Sequence, residues 1–348
     1  KDELSFEIPN WFDSVGAEHK AAREAVVLID QTSFNKFEIE GPGALAFLDY
    51  LCANNIDKPV GSVTYTQLCN RRGTIEADIT VARVAEEKFL LVTGTAFGLH
   101  DSQWIKNHMP ADGSVIFHDV TSALAVINVI GPNSRKLLEK ISRGDISNEN
   151  FRFSKCKQIT VGHAPVTVLR VTFVGELGYE LYIPTEFACH VYESLWDAGQ
   201  DLGIKNAGYR VINSLHFEKG YANWASDLTP EYTPYDAGLG FCVALNKGDF
   251  IGREALAKIK AEGPKWRLCS FTIDADQPVM LRGSEPITYK GKVIGTTTGG
   301  GYGYTVGKTI AYGYIPVADA KHDDDYEIEV YKEVYPAKRE TNRALYDP

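Results

Sequence analysis

The chain carries one local design twice. Residues 26–39 form an apolar, strand-like run that ends in Glu40-Gly41-Pro42-Gly43, and Ala44-Leu45-Ala46-Phe47-Leu48-Asp49-Tyr50-Leu51 then follows a helical pattern. Leu124–Ile130 is a second such run; it ends in Gly131-Pro132-Asn133-Ser134 and leads into Arg135-Lys136-Leu137-Leu138-Glu139-Lys140-Ile141. In both, proline suits the first helical turn, where its missing N–H loses nothing. The repeat predicts two related subdomains, each mixing strands and helices. Neither Gly-Pro continues into Lys-Ser/Thr, so a phosphate loop is not the reading.

Between residues 55 and 120, strand-like stretches alternate with one helical stretch, Gly98–His108. Residues 185–201 and 208–219 read as helices, the first with Leu195 and Trp196 on its apolar side. Residues 223–248 are rich in Pro, Gly, Asn and Asp. That is long for a passive connection, and the segment is expected to line a site. From residue 265 onward, strands of about six residues recur between Gly-rich turns, as in a small β-barrel.

Composition narrows the partners. A net charge of −10 argues against nucleic acid while leaving room for an anionic small ligand held by local Arg or Lys. No run approaches the roughly 18 apolar residues of a membrane span, so no membrane partner is expected. Cys52, Cys69, Cys156, Cys189, Cys242 and Cys269 are scattered, with no C-x-x-C pair. They read as reduced thiols of a cytosol-like compartment. The absence of H-x-x-x-H, H-E-x-x-H and C-x-x-C predicts no metal site.

Two segments carry chemistry. Phe173-Val174-Gly175-Glu176-Leu177-Gly178-Tyr179-Glu180-Leu181-Tyr182 sets two carboxylates in an apolar frame between aromatics. Polar groups in such a frame cost free energy unless a partner satisfies them, and a flat, donor-rich heterocycle would be one. The bland reading is a β-turn-β piece with glycine at positive φ. Tyr65-Thr66-Gln67-Leu68-Cys69-Asn70-Arg71-Arg72-Gly73-Thr74-Ile75-Glu76-Ala77-Asp78-Ile79-Thr80-Val81 reads as strand, turn, strand, with Gly73 left-handed. Asp78 then falls inside a β-branched strand, where Asp is disfavoured; it is either hydrogen-bonded structure or a working group.

Together these segments resemble the aminomethyltransferase (glycine-cleavage T-protein) superfamily of tetrahydrofolate-binding proteins. The resemblance continues through Thr233-Pro234-Tyr235-Asp236-Ala237-Gly238-Leu239, Asp249-Phe250-Ile251-Gly252-Arg253-Glu254-Ala255-Leu256, Gly295-Thr296-Thr297-Thr298-Gly299-Gly300 and Gly307-Lys308-Thr309-Ile310-Ala311-Tyr312-Gly313-Tyr314. Within it, Thr93-Gly94-Thr95-Ala96-Phe97-Gly98-Leu99-His100-Asp101 and Leu345-Tyr346-Asp347-Pro348 resemble the folate-binding C-terminal region of dimethylglycine and sarcosine dehydrogenases. The fold this implies is α+β: a three-domain cloverleaf with two related α+β subdomains, a C-terminal small β-barrel, and folate in the central channel. The expected divisions are 1–52 plus 122–245, 53–121, and 246–348.

The resemblance also implies site residues. Asp78 matches the family's aspartate near N10 of the reduced folate, where a carboxylate orients the amine, takes its proton and stabilises an iminium ion. Glu180 is expected to accept paired N–H donors of the pterin. Tyr65 matches a folate-contacting tyrosine, and Phe173 stands where many members have Tyr, keeping the ring and losing a hydroxyl. Arg210 aligns with the Arg of the family's A-R-D motif, whose Asp is Val211 here. Tyr346 resembles a C-terminal folate-contacting tyrosine. His100 and Asp101 make a tempting pair, but neighbours on a helix do not face each other.

The expected reaction captures a formaldehyde- or iminium-level carbon from an N-methyl amine to give 5,10-methylene-tetrahydrofolate. The cofactor is tetrahydrofolate, and the partner is a flavin-containing or other demethylase domain or subunit, since no strand–GxGxxG–helix unit opens this chain. It begins at Lys1 without a Met, and is expected to be an excised domain, a processed piece, or the folate half of a demethylase. The expected location is cytoplasmic, or the mitochondrial matrix in a eukaryote. Two rivals are a methyltransferase forming 5-methyl-tetrahydrofolate from a sulfonium, methoxy or quaternary ammonium donor, and a folate-binding accessory protein without turnover. One accessory relative carries K-G-C-Y-x-G-Q-E; here residues 246–254 read Asn-Lys-Gly-Asp-Phe-Ile-Gly-Arg-Glu, without the Cys.

Overall fold

The structure is a computed structural model and describes residues 2–3 and 6–348. A seven-stranded sheet has the order Ile204–Asn206, Val26–Asp30, Leu124–Ile130, Gly178–Pro184, Ala164–Arg170, Lys155–Val161, Ser142–Arg143. Its pairs are antiparallel except Val26–Asp30 with Ile204–Asn206. A five-stranded sheet has the order Val63–Cys69, Ile75–Ala85, Lys88–Thr93, Asn35–Glu40, Ile116–Asp119. Strands between Trp266 and Arg339 close a six-stranded barrel, as the sequence pattern predicts.

Alternation decides which side chains meet. In the larger sheet, Val26, Leu28, Ile127, Val129, Tyr179 and Leu181 point to one face and pack against helices Ser134–Ile141 and Ala188–Ala198. On the opposite face, Val27, Ile29 and Ile130 pack against helices Phe12–Glu24 and Tyr209–Lys219. Further along that same face, Val126, Cys156, Leu169 and Tyr182 pack against Val63, Ala82, Leu90 and Val92 of the smaller sheet. The two sheets are therefore stacked face to face over part of their area. Backbone bonds stitch their edges: Val63 N donates to Ser154 O at 2.9 Å and Cys156 N to Gly61 O at 2.8 Å.

The repeat is present, but the chain crosses between sheets earlier than residue 52. The run 26–39 is two strands: Val26–Asp30 stays in the larger sheet, while Asn35–Glu40 joins the smaller. Helix Ala44–Leu51 goes with it, burying Phe47, Leu48 and Leu51 against Phe37, Ile39 and Ile79. The break falls at Gln31–Phe34, where Asp30 Oδ1 accepts from Thr32 N at 2.9 Å. A hydrophobic run does not show such a turn, because both strands are apolar. The glycines before the prolines explain the repeat: Gly41 and Gly131 have φ of +117° and +128°, and a Cβ on either would meet a backbone oxygen at 2.5 Å.

The segment joining the sheets to the barrel is held by one lysine. Lys247 Nζ, at the end of the irregular stretch after residue 220, donates to Cys52 O and Asn54 O at 2.7 Å and lies 3.2 Å from Asp49 Oδ1. It thus binds the carbonyl end of helix Ala44–Leu51. Lys247→Met should cost about 1.5–3 kcal/mol, since buried acceptors would lose a charged donor. Urea melts of the two proteins check this, and equal midpoints would mean that the contact contributes nothing.

Candidate active site

The strand Ile75–Ala85 turns Ile75, Ala77, Ile79 and Val81 into the protein and Glu76, Asp78 and Thr80 the other way. In the ladder Asp78 pairs with Gln67 and Thr80 with Tyr65, so these share the face on which Val63 and Ala82 meet the larger sheet. Asp78 is half-buried there. Gln67 Nε2 donates to Asp78 Oδ1 at 2.8 Å, and Gln67 Oε1 is buried without a partner. Burial pushes the Asp78 carboxyl up to about 7, against the pull of hydrogen bonds from Gln67 and Tyr65, and the charge of Asp101 adds to the rise. Tyr65 is itself driven well above the usual phenol value, first by burial and then by the charge of Asp78.

Glu180 lies on the facing sheet. It pairs with Asn128 in the ladder, and Tyr182 Oη donates to Glu180 Oε2 at 2.8 Å. Burial raises its carboxyl above the ordinary range; the Tyr182 bond opposes this. The row Glu180–Asn128 sits between two apolar zones of one face, the zone under the smaller sheet and the zone under helices Phe12–Glu24 and Tyr209–Lys219. A polar island in that place needs a polar ligand or an internal partner.

His100 and Asp101 do meet, contrary to the helical argument. His100 Nδ1 is 2.9 Å from Asp101 Oδ1, Thr93 Oγ1 donates to the other oxygen, and His100 Nε2 lies 3.6 Å from Glu76 Oε2. The pair stands at the start of helix Gly98–His108, where side chains lean back past the helix end. The strand Lys88–Thr93 stops opposite Ile79, so this helix start flanks the unpaired edge beside Asp78. From the irregular segment, Cys242 comes close enough to Asp78 and Gln67 for their groups to raise and lower its thiol, burial being the largest cause of its high value. Trp224 reaches the ring of Phe97, centroids 5.8 Å apart. The segment 223–248 thus supplies groups beside Asp78.

Phe173 stacks on His216 at 5.2 Å and lies 6.0 Å from Tyr221. Tyr346 lies under the Arg23 guanidinium, whose Cζ is 4.2 Å from the ring centroid, and burial and then the charge of Glu176 raise its phenol. The structure does not bring Arg210 to either carboxylate. Its side chain is 49% exposed, lies 4.6 Å over Trp11 and pairs with Asp2. The reason is the register of helix Tyr209–Lys219: Val211 is fully buried, which turns its neighbour outward.

Tyr65 and Asp78 are thus in one cluster, Glu180 in a second on the facing sheet, and Phe173 and Tyr346 beyond it. Sequence reasoning missed Gln67, Asn128 and Cys242. Gln67 follows from the hairpin register once the Asn70–Gly73 turn is placed. Asn128 is signalled by its lone polarity in Leu-Ala-Val-Ile-Asn-Val-Ile. Cys242 has no local signal. No group of three or more His, Cys, Asp or Glu with metal-binding geometry occurs among the described residues.

Residues 1–247 match the GCVT N-terminal domain, and residues 267–347 match the glycine cleavage T-protein C-terminal barrel domain. The chain is 39% identical over 335 residues to mitochondrial dimethylglycine dehydrogenase of Rattus norvegicus, covering 96% of this chain and 39% of that protein. It is 33% identical over 329 residues to the aminomethyltransferase of Symbiobacterium thermophilum, covering 93% of this chain and 87% of that protein. The glycine cleavage system aminomethyltransferase T from Bartonella henselae has the same fold, with a TM-score of 0.86 at 24% identity over 100% of this chain and 94% of that one. The chain therefore spans about two fifths of the rat protein and most of the bacterial one. Two consecutive domain matches, near-complete coverage of an aminomethyltransferase and the shared fold make this chain a member of the glycine-cleavage T-protein family.

Proposed function

We propose that the chain binds tetrahydrofolate between the Asp78 and Glu180 faces and passes to it a one-carbon unit from an N-methyl amine, giving 5,10-methylene-tetrahydrofolate. The observation that carries this reading is the company of Asp78: Gln67 Nε2 donates to it at 2.8 Å, and among the described residues no Lys or Arg forms an ion pair with it. A carboxylate so placed has its positive complement in the ligand, as an ammonium or iminium nitrogen. Two buried oxygens without partners, Gln67 Oε1 and Asn128 Oδ1, fit a ligand rich in N–H donors. Tetrahydrofolate, when bound, supplies the two amine nitrogens that hold a carbon at the formaldehyde level.

The residues divide the work. Glu180 accepts N–H groups of the pterin, and Phe173 covers a ring face. Asp78, titrating near neutrality, takes a proton at the reacting amine and faces the charge that develops there. Gln67 and Tyr65 hold its carboxylate in place. Arg210 is outside this assignment. The flavin-bearing partner and the amine are assigned by likeness to the demethylating relatives, and a matrix location would follow in a eukaryote.

Glu180→Ala should weaken tetrahydrofolate binding by about 1.5–3 kcal/mol, read by calorimetry, because the ligand loses a charged acceptor. Equal affinity would remove Glu180 from the site. The mass of the folate product formed with an N-methyl-amine-oxidising partner separates methylene from methyl transfer. A protein that binds folate and yields neither product is the accessory protein of the second rival.

A further inference from the structure

Asn128 is the polar residue of an otherwise apolar strand, Leu124–Ile130, and is 5% exposed. It lies directly opposite Glu180 in the antiparallel ladder, so both side chains leave the sheet on one face, with Cβ atoms about 5 Å apart. Its amide is half used. Nδ2 donates to Gln31 Oε1 at 2.6 Å, and Oδ1 has no partner. Gln31 is itself 4% exposed, so the paired amides are enclosed together. Glu180 also has capacity to spare: Tyr182 bonds Oε2, and among the described residues its other oxygen takes no hydrogen bond. Two acceptors with spare lone pairs stand side by side between two apolar zones.

The ligand-free fold gains from Asn128 only the bond to Gln31. A buried amide oxygen without a donor is unfavourable, and leucine at this position would suit the strand and the face. The polarity is explained by a ligand that brings donors. We infer that Asn128 is a specificity-determining residue of the folate site, its Oδ1 accepting an N–H of the pterin's exocyclic amine beside Glu180. This rests on the folate reading above. A 2-amino-4-oxo pterin presents N3–H and both amine hydrogens along one edge. A carboxylate accepts N3–H and the nearer amine hydrogen as a parallel pair. The outer amine hydrogen then needs a second acceptor a few ångströms further along, and Asn128 Oδ1 is that acceptor.

The test compares wild type and Asn128→Leu for two ligands, tetrahydrofolate and its analogue with hydrogen in place of the 2-amino group. Wild type should favour the amino ligand about tenfold or more, and Asn128→Leu should bind tetrahydrofolate about tenfold more weakly with most of that preference gone. The ligand-free variant should melt somewhat below wild type, since Gln31 Oε1 loses its donor, and affinities are compared where both proteins are folded. Asn128→Ala, measured in parallel, reads the same way if leucine does not pack. Wild-type affinity and preference in the variants would overturn the inference. So would weaker binding of both ligands with the preference intact, which marks a purely structural amide. A wild-type protein that binds neither ligand would overturn the folate reading itself, and Asn128's role with it.

Discussion

Asp78→Asn should lower turnover about 10²-fold or more while leaving folate affinity nearly unchanged. Asparagine keeps the shape and the acceptor oxygen for Gln67, but it takes no proton and carries no charge. The charge on the reacting amine changes only as the carbon is taken up, so the loss falls on the transition state. Burial holds the carboxyl at about 7, so wild-type turnover should rise as pH passes through about 7, and the residual rate of the variant should lack that rise. Stability moves the other way. The native carboxyl titrates higher than the unfolded one, near 4, so between about 4 and 7 the native state holds more protons and loses stability as pH rises. Asp78→Asn should therefore be at least as stable as wild type above neutrality and lose that advantage toward pH ~4. Product assays, calorimetry and urea melts across this range check each part. Wild-type turnover in the variant, or failure to fold, would leave Asp78 structural and move attention to Tyr65 and His100.

Glu218→Ala should have the largest effect on stability, about 3–5 kcal/mol, because it strands two buried partners. Glu218 is 0% exposed. Its Oε2 is 2.9 Å from Arg23 Nη2 and 3.2 Å from His19 Nε2, and its Oε1 accepts from Thr305 N at 2.7 Å. Arg23 Nη1 also reaches Val174 O at 2.8 Å and Glu176 at 3.2 Å, and Leu345 N donates to Glu218 O at 2.8 Å. The carboxylate thus ties helix Phe12–Glu24 and the barrel to helix Tyr209–Lys219, Arg23 carries the tie on to the loop bearing Phe173, and the Glu218 main-chain carbonyl holds the C-terminal segment. Burial would raise its carboxyl, but His19 and then Arg23 prevail and hold it at about 2. Its contribution is therefore complete above the unfolded value near 4 and is lost as pH falls toward about 2. Denaturant melts of both proteins at neutral and acid pH check this: the gap should narrow on acidification. A gap that is small at neutral pH, or that does not change, would show that the network contributes little.

The strands, the helices and the barrel were readable because each announces itself through period and through Gly-Pro punctuation. The crossover at Gln31–Phe34 was not, since both flanking strands are apolar and only the partner sheet distinguishes them. Asp78 and Glu180 stood out as charges in β-branched or aromatic surroundings, and both lie half-buried on facing sheets. The contact of His100 with Asp101 escaped because side chains in the first helical turn lean back past the helix end, where neighbours can meet. Arg210 shows the limit of aligned motifs: one changed neighbour, Val211, is buried and commits the helix face.

The crossover has a consequence for how the chain acquires its structure. Every strand of the smaller sheet comes from residues 35–119, mostly as neighbours in sequence, so that sheet closes through short loops. The larger sheet sets Val26–Asp30 beside Leu124–Ile130 and Ile204–Asn206, and these pairings wait for loops of about a hundred residues or more to close. During synthesis the inserted sheet is the first to be complete, and Val26–Asp30 remains an unpaired apolar strand until its late neighbours emerge. The Asp78 half of the candidate site is therefore assembled before the Glu180 half exists, and a ligand that bridges them can bind only after the last of these strands has docked.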